Sequence, residues 1–275
     1  MKKQFALILS AVLCLSFLGC SQKADEPKNP YRLKSYTSES SIAGNPQSSI
    51  RCDYFYDESG RICQWDSYWN GELHRSEYPE YDEYGNIIQS TFENPDGTQT
   101  VEEHTLTLDD THRILRDEVY VDGFCQEVSD YTYDKHGNRT MQILVRYSET
   151  DEDPSITCRI DMTYDEDSNL LREEVQWNSK LPTYTEYSYL NSKLDKVSSY
   201  NEHDWLTSYT QYSYDETGLI VTMTTYSSDD TLSETVVNTY DEYGNLLTNE
   251  HRDETMDKTG KYVYTYELIE ASNVT

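Results

Sequence analysis

Basic residues are scarce in this chain: 22 Lys and Arg stand against 51 Asp and Glu, a formal net charge of -29 over 275 residues. A surface that negative repels phosphate backbones and anionic lipid headgroups, which excludes nucleic acid as a partner and excludes membrane contact through protein charge alone. Aliphatic residues are also few, and the mean hydropathy is -0.83. The signatures of catalysis are missing as well. There is no nucleophile elbow, phosphate loop or dinucleotide fingerprint. The six histidines (His74, His104, His112, His136, His203 and His251) are scattered without metal-ligand spacing. The expectation is a non-enzyme without cofactor or metal.

Against these shortages stand 26 tyrosines. Disordered chains lack this residue and β-sheets favour it, because it buries a large ring while its hydroxyl stays wet. The chain therefore reads as folded, all-β and polar-faced.

The one long apolar run, Phe5 to Leu18 after Lys2-Lys3, is short for a bilayer span and has the layout of an export signal. It ends in Phe17-Leu18-Gly19-Cys20 and then turns polar. This resembles the lipobox of bacterial lipoprotein signal peptides, with Phe17 standing where Leu is usual. The resemblance implies lipidation of Cys20 and anchoring by more than one acyl chain. The partner expected is thus a membrane, reached through lipid on Cys20, on the outer side of the cytoplasmic membrane or on the outer membrane. The expected layout is a signal peptide over 1–19, the lipidated Cys and a flexible tether over 20–30, and a β domain over 31–275.

A unit recurs through that domain. Tyr56-Asp57-Glu58-Ser59-Gly60 returns at Tyr81-Asp82, Tyr133-Asp134, Tyr164-Asp165, Tyr214-Asp215 and Tyr240-Asp241, with decayed copies at Leu108-Asp109 and Tyr189-Leu190. Most steps are 25 to 27 residues, which marks a tandem array. Asp starts a turn by accepting from the backbone two residues on, and Gly three residues later supplies the positive φ of a type I turn with a G1 bulge. Tyrosines two apart, such as Tyr54/Tyr56 and Tyr131/Tyr133, share one face of a strand. Between these turns lie Asn70-Gly71, Asp96-Gly97 and Asp122-Gly123, pairs favoured in two-residue hairpins.

The motif resembles the Rhs or YD-repeat family over about Ile50 to Glu267. Large members coil such hairpins into a shell around a toxin. This chain has too few strands for that shell and no toxin region, so the shell function is not implied. The fold expected is one long, twisted or curved antiparallel meander of roughly 17 strands, about 80 Å in extent, as a spiral or partly closed barrel. Tyr and aliphatic side chains should line the concave side, and the end repeats should fray first.

The tyrosine ladder repeats in every unit, as a structural device does. Trp65, Trp69, Trp177 and Trp205 do not follow the repeat and are the candidate ligand-binding residues, for a glycan or protein. Asp165 to Asn169 and Asp151 to Asp153 invite calcium, but the turns are too tight to supply six oxygens. Among Cys52, Cys63, Cys125 and Cys158, the pair Cys52 and Cys63 flanks the first Tyr-Asp turn and is the candidate disulfide. The function expected is a non-catalytic binding, adhesion or scaffold module on the cell envelope. The alternatives are a structural or toxin-immunity-type envelope protein and, third, a carbohydrate-active enzyme.

Overall fold

The computed structural model describes residues 31–148 and 154–269. The signal region, Cys20, the tether and Asp151-Glu152-Asp153 lie outside the described residues. Eighteen strands follow in chain order: β1 (Tyr31–Ile42), β2 (Asn45–Tyr56), β3 (Ile62–Trp69), β4 (Glu72–Tyr81), β5 (Ile87–Glu93), β6 (Gln99–Leu108), β7 (Ile114–Val121), β8 (Phe124–Tyr133), β9 (Arg139–Arg146), β10 (Ile156–Tyr164), β11 (Leu170–Trp177), β12 (Thr183–Leu190), β13 (Lys193–Tyr200), β14 (Leu206–Tyr214), β15 (Ile220–Ser227), β16 (Leu232–Tyr240), β17 (Leu246–Asp253) and β18 (Lys258–Leu268).

Each strand pairs antiparallel with its chain neighbours, and β1 also pairs with β18, from Tyr31↔Leu268 to Ile42↔Lys258. The sheet is therefore a closed up-and-down barrel. This corrects the expected open spiral or partly closed sheet of roughly 17 strands. The reason is β1, which carries no Tyr-Asp motif yet supplies the strand that meets β18. The expected 80 Å becomes a circumference, and no terminal repeat is left to fray.

Eighteen strands tilted by about 40° enclose a backbone cylinder roughly 35 Å across, wide enough for water. No strand has Cα atoms within 8 Å of any but its two neighbours. Among the described residues no large side chain is fully buried. Of the most shielded residues, the register places Cys52, Tyr54, Glu77, Ser90, Ser129, Cys158, Met162 and Val236 on one face, against Ser76 and Val128 on the other. Side chains on the concave side of a closed wall converge and shield one another, so this is the inner face. It carries the tyrosine ladder. The outer face carries Arg-carboxylate ladders such as Arg116 with Glu118 and Asp130, and Arg172 with Glu174 and Glu186.

The repeat residues build one rim. In Asp82, Oδ1 accepts from the N–H groups of Tyr84 and Asn86 at 2.9 and 2.8 Å, while Oδ2 accepts from Asn86 Nδ2 at 2.8 Å. Asp134, Asp165 and Asp241 repeat this set with Asn138, Asn169 and Asn245. The Asn after the glycine position thus occupies the second carboxylate oxygen, and these bonds hold the Asp carboxyls below their ordinary range. At the opposite, distal rim, Asn70-Gly71 and Asp122-Gly123 have positive φ at both positions, as two-residue turns require. Asp96-Gly97 departs from that expectation. Pro95 presets the first position of a type I turn, and only Gly97 is left-handed.

The motif tyrosine has a second task. In eight repeats its hydroxyl donates to the carbonyl of the residue at or beside the bulge on the preceding strand: Tyr81 to Ile62, Tyr133 to Ile114, Tyr164 to Arg139, Tyr189 to Leu170, and likewise Tyr56, Tyr214, Tyr240 and Tyr266. Leu108 stands in the ninth place and cannot donate. Tyr133→Phe should therefore cost about 1 kcal/mol, and Leu108→Tyr should return about as much by capping the Ile87 carbonyl. Urea midpoints of the two variants check this. Ser168 holds the glycine position of its turn at φ 65°. Ser168→Gly should raise stability by about 0.5–1 kcal/mol, since left-handed backbone disfavours a Cβ; an unchanged urea midpoint contradicts that.

Candidate functional site

The rims differ in what they expose. The described chain enters the barrel at Tyr31 and leaves beyond Leu268, and both lie at the Tyr-Asp rim. The distal rim carries Trp69, Trp177 and Trp205, 44%, 47% and 70% exposed, together with Leu181 and Met256. Trp205 follows the β13–β14 turn and tilts against His203, ring centroids 5.8 Å apart. Trp65 instead lies on the inner face opposite Tyr54, half-buried. Trp69 on β3 and Trp177 on β11 are eight strands apart around the ring, so the three rim tryptophans form a sparse crown and not one patch.

The inner wall from β4 to β9 holds a polar band. His104 Nδ1 lies 3.0 Å from both carboxylate oxygens of Asp117, and its Nε2 lies 3.3 Å from Glu102. The bond to Asp117, then that to Glu102, raises the His104 pKa to about 9. Burial pushes the Glu77 carboxyl up to about 7, with Arg75 at 3.9 Å opposing the shift. Ser129, opposite Asp117, is 3% exposed, and its hydroxyl has no hydrogen-bond partner. Beside it, Arg146 Nε donates to Glu127 at 2.7 Å.

Both raised groups bind a proton more tightly in the folded state. Their contribution is complete below the unfolded values near 4.5 and 6.5, and it is lost as pH rises through about 7 and about 9. After allowing for the wet lumen, each is worth about 1–2 kcal/mol. Stability should therefore fall from pH 5 to pH 9, and Glu77→Gln should flatten the limb between 5 and 8 in urea titrations. A parallel curve for the variant contradicts the placement of Glu77.

The sequence alone does not single out this band, because His104 lacks ligand spacing. The signal that could have found it is alternation: stepping back from Leu108 by twos gives Leu106 and then two polar residues at inward positions, His104 and Glu102. Of the other sequence candidates, Cys52 faces Ser67 on the inner wall and lies 3.4 Å from Tyr36 Oη, whereas Cys63 is exposed at the bulge; all four described cysteines are free thiols. The Asp165 carboxylate is occupied by its own turn. No group of three or more His, Cys, Asp or Glu among the described residues is arranged to hold a metal ion.

No protein-family model matches the chain. No curated protein matches it. Among solved structures it is similar to a chain of a TcdB2-TccC3-Cdc42 complex, at 15% identity and a TM-score of 0.37 over 79% of this chain; it spans 15% of that chain's length. It is also similar to a porin-like protein from Bacteroides uniformis ATCC 8492, at 13% identity and a TM-score of 0.45, covering 88% of this chain and 99% of the other. A porin-like protein from Bacteroides vulgatus ATCC 8482 follows at 10% identity and a TM-score of 0.33, over 86% and 99%. At these values the likeness assigns no family.

Proposed function

We propose that this protein is a lipid-anchored, extracytoplasmic YD-repeat barrel that binds a glycan or protein partner at its distal mouth without catalysis. The observation that carries the reading is the division of labour between the rims. The chain enters and leaves at the Tyr-Asp rim, while the most exposed tryptophans collect at the other. An anchor on Cys20, eleven residues before Tyr31, turns the Tyr-Asp rim toward the membrane and leaves the tryptophan rim free.

The wall stands in water. Its outer face bears Arg116, Arg159 and Arg172 within charged ladders, and each Arg at a bilayer midplane costs about 2–4 kcal/mol. Attachment through lipid and solvation of the wall are therefore compatible, and the barrel is held to a membrane without crossing it. Trp and Tyr rings at a mouth offer faces for stacking and edges for hydrogen bonding.

The test has two parts. Labelled palmitate should enter the wild-type chain and be absent from Cys20→Ser, which should leave the membrane fraction. Envelope extracts passed over the purified full-length protein should yield a glycan or protein that Trp177→Ala with Trp205→Ala releases. Labelling that persists in Cys20→Ser overturns the anchor, and retention unaffected by the tryptophan changes overturns the mouth.

A further inference from the structure

On β3, Trp65, Ser67 and Trp69 follow one another on the inner face, opposite Tyr54, Cys52 and Ile50 of β2. Four residues of strand set the two indoles about 13 Å apart. Trp65 is half-buried in the wall, and Trp69 is exposed at the distal mouth. The neighbouring strands complete the patch. Arg75 on β4 faces Ser67, between the two indoles, while Glu77 faces Trp65 and Phe92 on β5 faces Glu77.

Arg75 is the unusual member. Other arginines of the chain close on a carboxylate at 2.6–3.4 Å. The carboxylate beside Arg75, on Glu77, lies 3.9 Å away, beyond hydrogen-bond reach, and among the described residues nothing else accepts from this guanidinium. The fork is nonetheless held in place, because it stacks on Phe92 with its central carbon 4.4 Å from the ring centre. The Arg75 side chain is 44% exposed, so its donors meet the lumen. Burial pushes Glu77 up to about 7, and at neutral pH it offers Arg75 only part of a counter-charge. The next inward carboxylate, Glu102, lies 3.3 Å from His104, whose pKa of about 9 keeps it protonated. Glu72, opposite Trp69, is exposed at the turn, where water weakens its field. The charge of the rest of the chain is screened beyond about 8 Å at physiological salt, so an anion that reaches the patch meets an unmatched cation.

A planar guanidinium without a hydrogen-bond partner selects an acceptor with paired oxygens, such as a carboxylate. Indoles in line along one strand select flat faces repeated along an extended ligand, which linked pyranose rings present. We propose that this inner-wall patch binds an acidic glycan, with Trp65 and Trp69 stacking on sugar rings and Arg75 taking a uronate carboxylate between them. The site deepens the role of the distal mouth as the ligand face and rests on it. Trp177 lies across the ring, eight strands away, and is not part of the patch.

Titration calorimetry of the purified full-length protein tests this, with hexamers of galacturonate, mannuronate and hyaluronan beside neutral cellohexaose and mannohexaose. At least one uronate hexamer should bind the wild type, at least tenfold more tightly than either neutral hexamer. Arg75→Gln, Trp65→Ala and Trp69→Ala should each weaken it at least tenfold. Arg75→Lys should restore only part of the loss, since an ammonium lacks the fork. Tyr68→Ala, on the same strand but on the outer face against Arg51, should stay within twofold. Circular dichroism at the same concentrations separates loss of binding from loss of fold, and Trp65→Phe should keep part of the affinity. Uronate and neutral hexamers bound alike overturn the carboxylate contact, and with it the proposal, while leaving the mouth as the ligand face. Uronate binding that Arg75→Gln and Trp69→Ala leave unchanged, or that Tyr68→Ala weakens as much as they do, overturns the patch. If no hexamer binds while the envelope pull-down still yields a partner that depends on Trp177 and Trp205, the patch is overturned and the mouth stands. If both assays are negative, both are overturned.

Discussion

Raising the pH from 9.5 to 11.5 should unfold the barrel in a single steep transition. Phenol groups ordinarily ionise near pH 10, but burial raises those on the inner wall: Tyr187 and Tyr266 reach about 12, and Tyr36 and Tyr54 are pushed higher still. Tyr131, Tyr164, Tyr212, Tyr240 and Tyr264 are raised for the same reason. A group whose folded pKa lies above its unfolded value gives stability that is complete below the unfolded value and is lost as pH rises through the folded one. Each such tyrosine contributes a slope of about 1.4 kcal/mol per pH unit above 10. The four with the largest shifts act together across this range, and the water in the lumen roughly halves their effect, leaving about 3 kcal/mol per unit before the other raised tyrosines add to it. A domain holds only about 5–15 kcal/mol in total, so about two units bring it to the point of unfolding. Absorbance at 295 nm and far-ultraviolet circular dichroism should change together near pH 11. Gradual ionisation around pH 10 with the sheet intact contradicts a shielded tyrosine ladder.

Deleting residues 31–44 should be the most damaging short truncation of the described chain. β1 pairs with β18 over eleven residue pairs, from Tyr31↔Leu268 to Ile42↔Lys258, and with β2 from Ser35↔Asp53 to Ile42↔Asn45. Its removal leaves two long raw edges, and it strips Tyr56 Oη of its acceptor at Leu33. Exposed edges pair with other chains. The truncated protein should melt more than 10 °C lower and sediment as dimers or larger species. Deleting a whole repeat, residues 165–189, is the control: it removes two strands, and the remaining sixteen can close again. If both deletions cost the same, β1 has no special place in the ring.

The parts of the fold that were legible in the sequence are those decided within one repeat. Asp57, Gly60 and their copies specify the turn through bonds spanning four residues, and the spacing of Tyr54 and Tyr56 specifies the shared face. Closure was not legible, because it depends on the stagger between neighbouring strands added around the whole ring. The β1 segment gives no motif to count, since Ala43-Gly44 replaces the repeat's own turn beside it. The candidate site was legible in kind and not in place. Trp69, Trp177 and Trp205 stood out by breaking the repeat, but their sharing of one rim follows from turn order. Ser168 and His112 show the converse. Their turns persist with positive φ and no glycine, so the surrounding ladder imposes a turn that the local sequence only half requests.

Closure of the ring is the central claim, and one cross-link tests it most directly. Ser35 Oγ and Thr265 Oγ1 lie 2.6 Å apart although 230 residues separate them in the chain. In a Cys63→Ser background, Ser35→Cys with Thr265→Cys should form an intramolecular disulfide in nearly every molecule under mild oxidation. Non-reducing electrophoresis should show a faster monomer band, and the circular dichroism spectrum should not change. An open sheet holds its first and last strands tens of ångströms apart. Such a sheet gives free thiols or disulfide-linked dimers, and either result contradicts the closed barrel.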